Sequence, residues 1–258
     1  GAANMTLVVP RYGESALSSY PHFQVVELPN LAPNSTAGTV ALLKTIRKTN
    51  LQLKGDLAEL SVFTVLVTFP PLLHLRHQIK GYRDLKGMRI LATNQQTVES
   101  LRFMGLDAVS DTRLFVAEQA QRQRADALAV DWFALDNMQV GKNYRYHLEL
   151  PLGSIVAVVI IDSESSNALG VDQQGRPSTG KFDLGMEWAK DWAESIDRQI
   201  GSRRSRQSKI GGRPIETPPE LQRIFEEASS FWQGSGPEYK MVLKEYLQQI
   251  QSVTNPKN

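Results

Sequence analysis

Asp84-Leu85-Lys86-Gly87-Met88-Arg89-Ile90, followed by a short helical stretch and Gly105, decides how this chain is read. Asp84 and Gly87 are turn formers. Residues 88–92 make an apolar run of strand length. Val98, Leu101 and Met104 then recur at helical spacing, and Gly105 stands where a helix closes on a left-handed residue. The segment reads as turn, buried strand, loop, and a helix aimed back at that loop.

Working outward, strands and helices alternate, which favours an α/β class. Residues 6–9 and 24–27 read as strands, and residues 39–48 as a helix capped by Ser35 or Thr36. Residues 61–68 form a β-branched, aromatic-rich strand stopped by Pro70-Pro71. Residues 125–130 read as a short strand, 144–150 as an alternating one, and 155–161 as a buried one. Leu184, Trp188, Trp192 and Ile196 recur every four residues, which predicts a helix. Thr217-Pro218-Pro219-Glu220 and Ser235-Gly236-Pro237-Glu238 announce two further helix starts. Residues 170–180 read as a hairpin tip or surface turn.

Composition bounds the function. The chain has 258 residues, 41% of them hydrophobic, enough for one large domain or two lobes. It has no cysteine, so disulfides, thiol nucleophiles and thiolate metal sites are excluded. A formal net charge of +2 implies no polyanionic partner. Arg203, Arg204, Arg206, Lys209 and Arg213 crowd residues 201–214. No aromatic interleaves them, so a solvated linker between helices is favoured over a nucleic-acid patch.

Enzyme signatures are poor. Gly-x-Ser-x-Gly, P-loop and Gly-x-Gly-x-x-Gly motifs are missing. Glu164 and the pair Glu226-Glu227 have nothing that places them together as acid and base. His74 and His77 have the spacing of a metal pair on a helix, but they follow two prolines in an extended stretch, where a strand-edge role is favoured. The expectation is a non-enzyme with no cofactor and no metal.

Four segments in order resemble a known family. Residues 84–90 with Gly105 resemble the Asp-Leu-Lys-Gly-(Leu/Met)-Lys-Ile-Arg hallmark of the solute-binding proteins of TRAP (tripartite ATP-independent periplasmic) transporters, with Arg89 at the family's Lys position. Arg124-Ala125-Asp126-Ala127 falls, without a gap, where the family has a Val-Val-Asp-Gly-like turn. Gly1-Ala2-Ala3-Asn4-Met5 is similar to its "Gly-x-x-Asp-Ile" strand entry, and residues 20–29 to its "Phe-Pro…Glu-Leu-Pro-Phe" segment. The resemblance places Gly1 about one βαβ unit into the first lobe, so an opening strand and helix are expected upstream.

The resemblance implies a two-lobe α/β periplasmic-binding-protein fold with a ligand cleft and C-terminal helices packing across both lobes. Residues 1–88 are expected in lobe I and 89–152 in lobe II, with 153–258 supplying the return strand and the shared helices. It implies capture of a small organic acid, delivery to membrane permease subunits, a periplasmic address and no nucleic-acid partner. The alternatives are a degenerate relative with a structural role and a binding protein of an ABC-type system.

Site residues follow from two sources. The family's carboxylate-gripping Arg corresponds to Leu91, so the resemblance points to Arg113, at a pocket-lining aromatic position, as a replacement cation. On that footing Leu91→Arg would restore carboxylate affinity. The family's strand-end Asn corresponds to Asp162, which would favour an amine or hydroxyls. Ligands in open α/β sheets sit beyond the carboxyl ends of strands, which adds Tyr12, Thr93, Asn94, Gln95, Trp132 and Asn137. Trp132 and Tyr12 serve equally well as core aromatics.

Overall fold

The structure is a computed structural model that describes residues 5–10, 15–178, 182–232 and 236–255. Strand β1 (Met5–Val8) leads to the helical turn α1 (Pro21–Gln24), helix α2 (Ser35–Lys48), and strands β2 (Ser61–Val67) and β3 (Leu72–Leu75). Then come β4 (Ile90–Ala92), α3 (Gln95–Phe103), β5 (Ala108–Ser110), α4 (Arg113–Gln121), β6 (Ala127–Val130), α5 (Trp132–Asn137) and β7 (Tyr146–Leu148). The chain continues through β8 (Val156–Ile161), α6 (Ser163–Leu169), α7 (Leu184–Lys209), β9 (Arg213–Ile215), α8 (Pro219–Trp232) and α9 (Pro237–Thr254).

These strands form two sheets. One is antiparallel, in the order β1-β8-β2; the other is mixed, in the order β5-β4-β6-β3-β7-β9. Val62, Val65 and Val67 of the first sheet pack with Leu42 and Ile46 of α2 and with Val242 and Tyr246 of α9. In the second sheet the pleat sends Ile90 and Ala92 to the side of Val98 and Leu101, and Leu91 to the side of Val116 and Leu135. Helix α7 spans both units. Its Ala189 joins the first core and its Ile200 the second, and its 26 residues reach about 39 Å at 1.5 Å each.

Two of the connections between the sheets, β2–β3 and β7–β8, run side by side. The Thr68 amide donates to the Ile155 carbonyl at 2.8 Å, and the Leu152 amide donates to the Pro71 carbonyl at 3.0 Å. Asn30 and Ser154 bond the second connection to the loop before α2, through Pro151 and Val26. Gly153, at φ +94°, makes this approach feasible, since a Cβ there would lie 2.1 Å from the Glu27 carbonyl oxygen.

Local expectations meet the fold unevenly. The hallmark segment forms a 3-10 turn, then β4, then α3, and Gly105 takes the left-handed conformation at φ +73°. The Leu106 amide reaches back to the Leu101 carbonyl at 3.0 Å, closing the helix end. Residues 24–27 are helical, not extended. Pro21 starts α1 with its fixed φ, and Phe23, Val25 and Val26 are buried in the α2–α9 core.

Helix α2 is capped by Asn34, whose Oδ1 accepts from the Ala37 amide at 2.8 Å. Residues 201–209 are the last turns of α7 rather than a linker, because Arg, Ser, Gln and Lys all tolerate helix, and the one interior glycine, Gly201, costs only about 1 kcal/mol; the helix ends before Gly211 at φ +93°. The boundary expected near Met88 also falls elsewhere by strand pairing. Strand β3 is hydrogen-bonded between β6 and β7, so the first crossing into the second sheet precedes Leu72. The Pro70-Pro71 stop marks that crossing.

Candidate functional site

The cleft between the sheets begins at the carboxyl end of β4. Asn94 caps α3 there, its Oδ1 accepting from the Thr97 amide at 2.7 Å. Thr112 caps α4 through the Phe115 amide at 3.3 Å, and Asp131 caps α5 through the Ala134 amide at 2.8 Å. Three helix N-termini thus surround one opening, and their unpaired backbone N–H groups and partial positive ends favour an anion.

Two adjoining cavities fill this opening. The first, about 220 Å³, is lined by Thr93, Asn94, Arg113 and Asp131 on one side and by Thr68, Ile155 and Ala157 on the other. The second, about 330 Å³, is lined by Thr93, Asn94, Gln95, Glu99, Asp111 and Ile155. Thr93, Asn94 and Ile155 are common to both, so the end of β4 and the start of β8 form a shared partition. Among the described residues the exposed Arg113 guanidinium has no hydrogen bond and no ion pair.

The predicted residues divide accordingly. Thr93, Asn94, Gln95 and Arg113 line the cleft. Asp162 does not. It caps α6, its Oδ1 accepting from the Ser165 amide at 2.8 Å. It lies at the far end of β8 from Ile155, roughly 20 Å away at about 3.3 Å per residue. Asn137 is exposed at the last position of α5, away from the cleft lining. Tyr12 lies outside the described residues.

Trp132 is a core residue, 2% exposed, with its ring edge-on to His74 at 4.8 Å and to His147 at 4.7 Å. His74 Nε2 donates to the Val130 carbonyl at 3.1 Å, so its Nδ1 accepts from His147 Nδ1 at 2.9 Å. His74 therefore sits mid-sheet rather than at a strand edge, and His77 follows β3 in a bend. Burial, together with the neighbouring His147, lowers the His74 pKa to about 3. Burial, and then the Arg204 charge, lower that of His147 to about 4. Both rings are neutral at ordinary pH. Among the described residues no group of three or more His, Cys, Asp or Glu is placed to hold a metal ion.

Sequence reasoning missed Glu99, Asp111, Asp131, Thr68 and Ile155. The rule that selected Trp132 and Asn137 applied one residue earlier: Asp131 occupies the strand-end position itself, and the next residue turns its ring into the core. Thr68 and Ile155 carry no motif and reach the cleft only through the pairing of the two crossings.

No family model and no curated protein matches the chain. Solved structures do. A marine-metagenome TRAP solute-binding protein specific for aromatic acids, in complex with 3-hydroxybenzoate, shares 18% identity, with 96% of this chain and 79% of that one covered and a TM-score of 0.72. A TRAP solute-binding protein from Rhodoferax ferrireducens, with copurified benzoate, shares 18% identity over 100% of this chain and 82% of its own, with a TM-score of 0.70. One from Desulfovibrio salexigens, in an open complex, shares 19% identity over 100% and 80%, with a TM-score of 0.78. The chain has the two-lobe α/β fold of the periplasmic solute-binding proteins of TRAP transporters.

Proposed function

We propose that the chain is the solute-binding subunit of a TRAP-type uptake system. It captures a small organic acid between its two lobes in the periplasm and hands it to membrane permease subunits. The observation that carries this reading is the unpaired Arg113 guanidinium in the cleft, beside Thr93, Asn94 and the start of α4. A guanidinium and a helix N-terminus together suit a carboxylate. The benzoate and 3-hydroxybenzoate of the structural neighbours belong to the same ligand class. The paired crossings at Thr68 and Ile155 act as the hinge, and a solute shifts the lobes toward closure by binding the closed form better.

Leu91 favours a second reading. The position of the family's arginine is 1% exposed and packed among apolar side chains, as expected of a relative that has given up its ligand. A thermal-shift screen of mono- and dicarboxylic acids, with calorimetry on the hits, separates the two. Saturable binding weakened by Arg113→Ala supports solute capture. No shift with any acid supports the non-binding relative.

A further inference from the structure

The two cleft cavities differ in charge: the smaller is lined by Arg113 together with Asp131, the larger by Glu99 and Asp111 with no cation among the described residues. Arg113 lines only the smaller one, and Glu99 and Asp111 only the larger one, with the shared Thr93, Asn94 and Ile155 between them. Asp111 Oδ1 accepts from the Thr112 amide at 2.7 Å, which leaves its second oxygen for a ligand. Glu99 is exposed on α3, and neither acid has a cationic partner among the described residues. Asp131 adds a third carboxylate beside Arg113, partly committed to capping α5. A simple monocarboxylate satisfies Arg113 and leaves Glu99 and Asp111 without a countercharge in the cleft. Closure expels water and strengthens every uncompensated charge interaction there.

We infer that the solute bears an ammonium or comparable cationic group as well as a carboxylate. Arg113 and the α4 N-terminus receive the carboxylate, and Glu99 and Asp111 receive the cation across the end of β4. The inference rests on the proposed solute-binding role and narrows its ligand class. The middle of the ligand lies over Ile155, the apolar residue common to both cavities, so a hydrocarbon spacer fits between the charged ends. Discrimination comes from the acids as much as from Arg113, since an unpaired carboxylate penalises a ligand without the cation.

Calorimetry on the intact chain with paired probes tests this. The amine-bearing probes are γ-aminobutyrate, ε-aminohexanoate and para-(aminomethyl)benzoate; their partners are butyrate, hexanoate and para-methylbenzoate. The expected result is about tenfold or greater preference for at least one amine-bearing member, in line with a desolvated charge pair. Glu99→Gln and Asp111→Asn, both at exposed positions, are expected to erase that preference. Equal or tighter binding of the amine-free acids overturns the inference and leaves the solute-binding role standing. Binding of no member of either set overturns both.

Discussion

Thr68 and Ile155 exchange two hydrogen bonds across the waist of the molecule. The Thr68 amide donates to the Ile155 carbonyl at 2.8 Å, and the Ile155 amide donates to Thr68 Oγ1 at 3.1 Å. Both residues also line the smaller cleft cavity, so the proposed hinge and the candidate ligand cavity share residues. Thr68→Val keeps the shape and removes the side-chain acceptor, stranding the partly buried Ile155 amide. The expected cost is about 1–2 kcal/mol, read as a lowered urea midpoint. An unchanged midpoint would show that the side-chain bond contributes nothing to the waist.

A second long-range tie holds α7 to the start of α2. Asp197 Oδ1 accepts from the Ser35 amide at 2.9 Å, and its Oδ2 accepts from the Thr36 amide, also at 2.9 Å. These are orphan amides of the first helical turn, and a carboxylate at that end also meets the helix dipole. Asp197→Ala is expected to destabilise the protein by about 1–2 kcal/mol, the range for losing a strong N-cap. Thermal unfolding checks this, and a melting temperature equal to that of the parent would remove the tie from the stability argument.

The sequence expectation for Leu91 reverses once its surroundings are known. The side chain points into the apolar group of Leu72, Val116 and Leu128, not into the cleft. Leu91→Arg therefore buries a guanidinium with no partner. Instead of restoring affinity, it is expected to cost about 3–5 kcal/mol, the scale of an uncompensated buried charge. Soluble, fully folded Leu91→Arg protein with improved acid binding would refute this account.

What the sequence disclosed, and what it withheld, has a physical pattern. Strands β2, β6 and β8 were legible because every residue in them is buried, which forces continuous apolar runs. Residues 24–27 were not legible, because Val25-Val26 fits a strand or a helix equally, and packing against α9 decides. The cleft was half legible. Thr93, Asn94 and Gln95 follow from the strand-end rule, whereas Thr68 and Ile155 depend on two connections 87 residues apart lying side by side. Asp162 misled because a strand has two ends, and only the Ile155 end of β8 meets the other sheet's cleft.

Arg113 is exposed and outside the hydrophobic cores, so its truncation separates binding from folding. Arg113→Ala is expected to weaken binding of the cognate acid by about 2–4 kcal/mol, the loss for removing one member of a desolvated charge pair. Its stability without ligand is expected to stay within about 0.5 kcal/mol of the parental value, as for surface substitutions. Calorimetry and thermal unfolding on the same preparation measure both. Wild-type affinity in the variant would move the carboxylate site elsewhere in the cleft.

The buried histidines set a pH limit on stability. Burial lowers the pKa of His22 to about 4; burial and His147 lower that of His74 to about 3; burial and Arg204 lower that of His147 to about 4; the ordinary value is 6.5. Each folded-state pKa lies below its unfolded value, so the unfolded chain binds more protons as the pH falls. The stabilisation is complete above about pH 6.5 and is lost progressively as the pH drops toward the folded values. Each histidine contributes a slope of up to about 1.4 kcal/mol per pH unit in that window. Urea unfolding between pH 7 and pH 4.5 should therefore show a steep fall in stability. His147→Gln should flatten it by about one histidine's share. Asp172 and Glu245, whose pKa values are lowered by their hydrogen-bond and cationic partners, add to the fall only at the acid end of that window, where unfolded carboxylates begin to protonate, so the slope above it belongs to the histidines. A stability that stays level from pH 6.5 to pH 4.5 would mean that these rings gain protons in the folded protein and that the His74–His147 pair opens without cost.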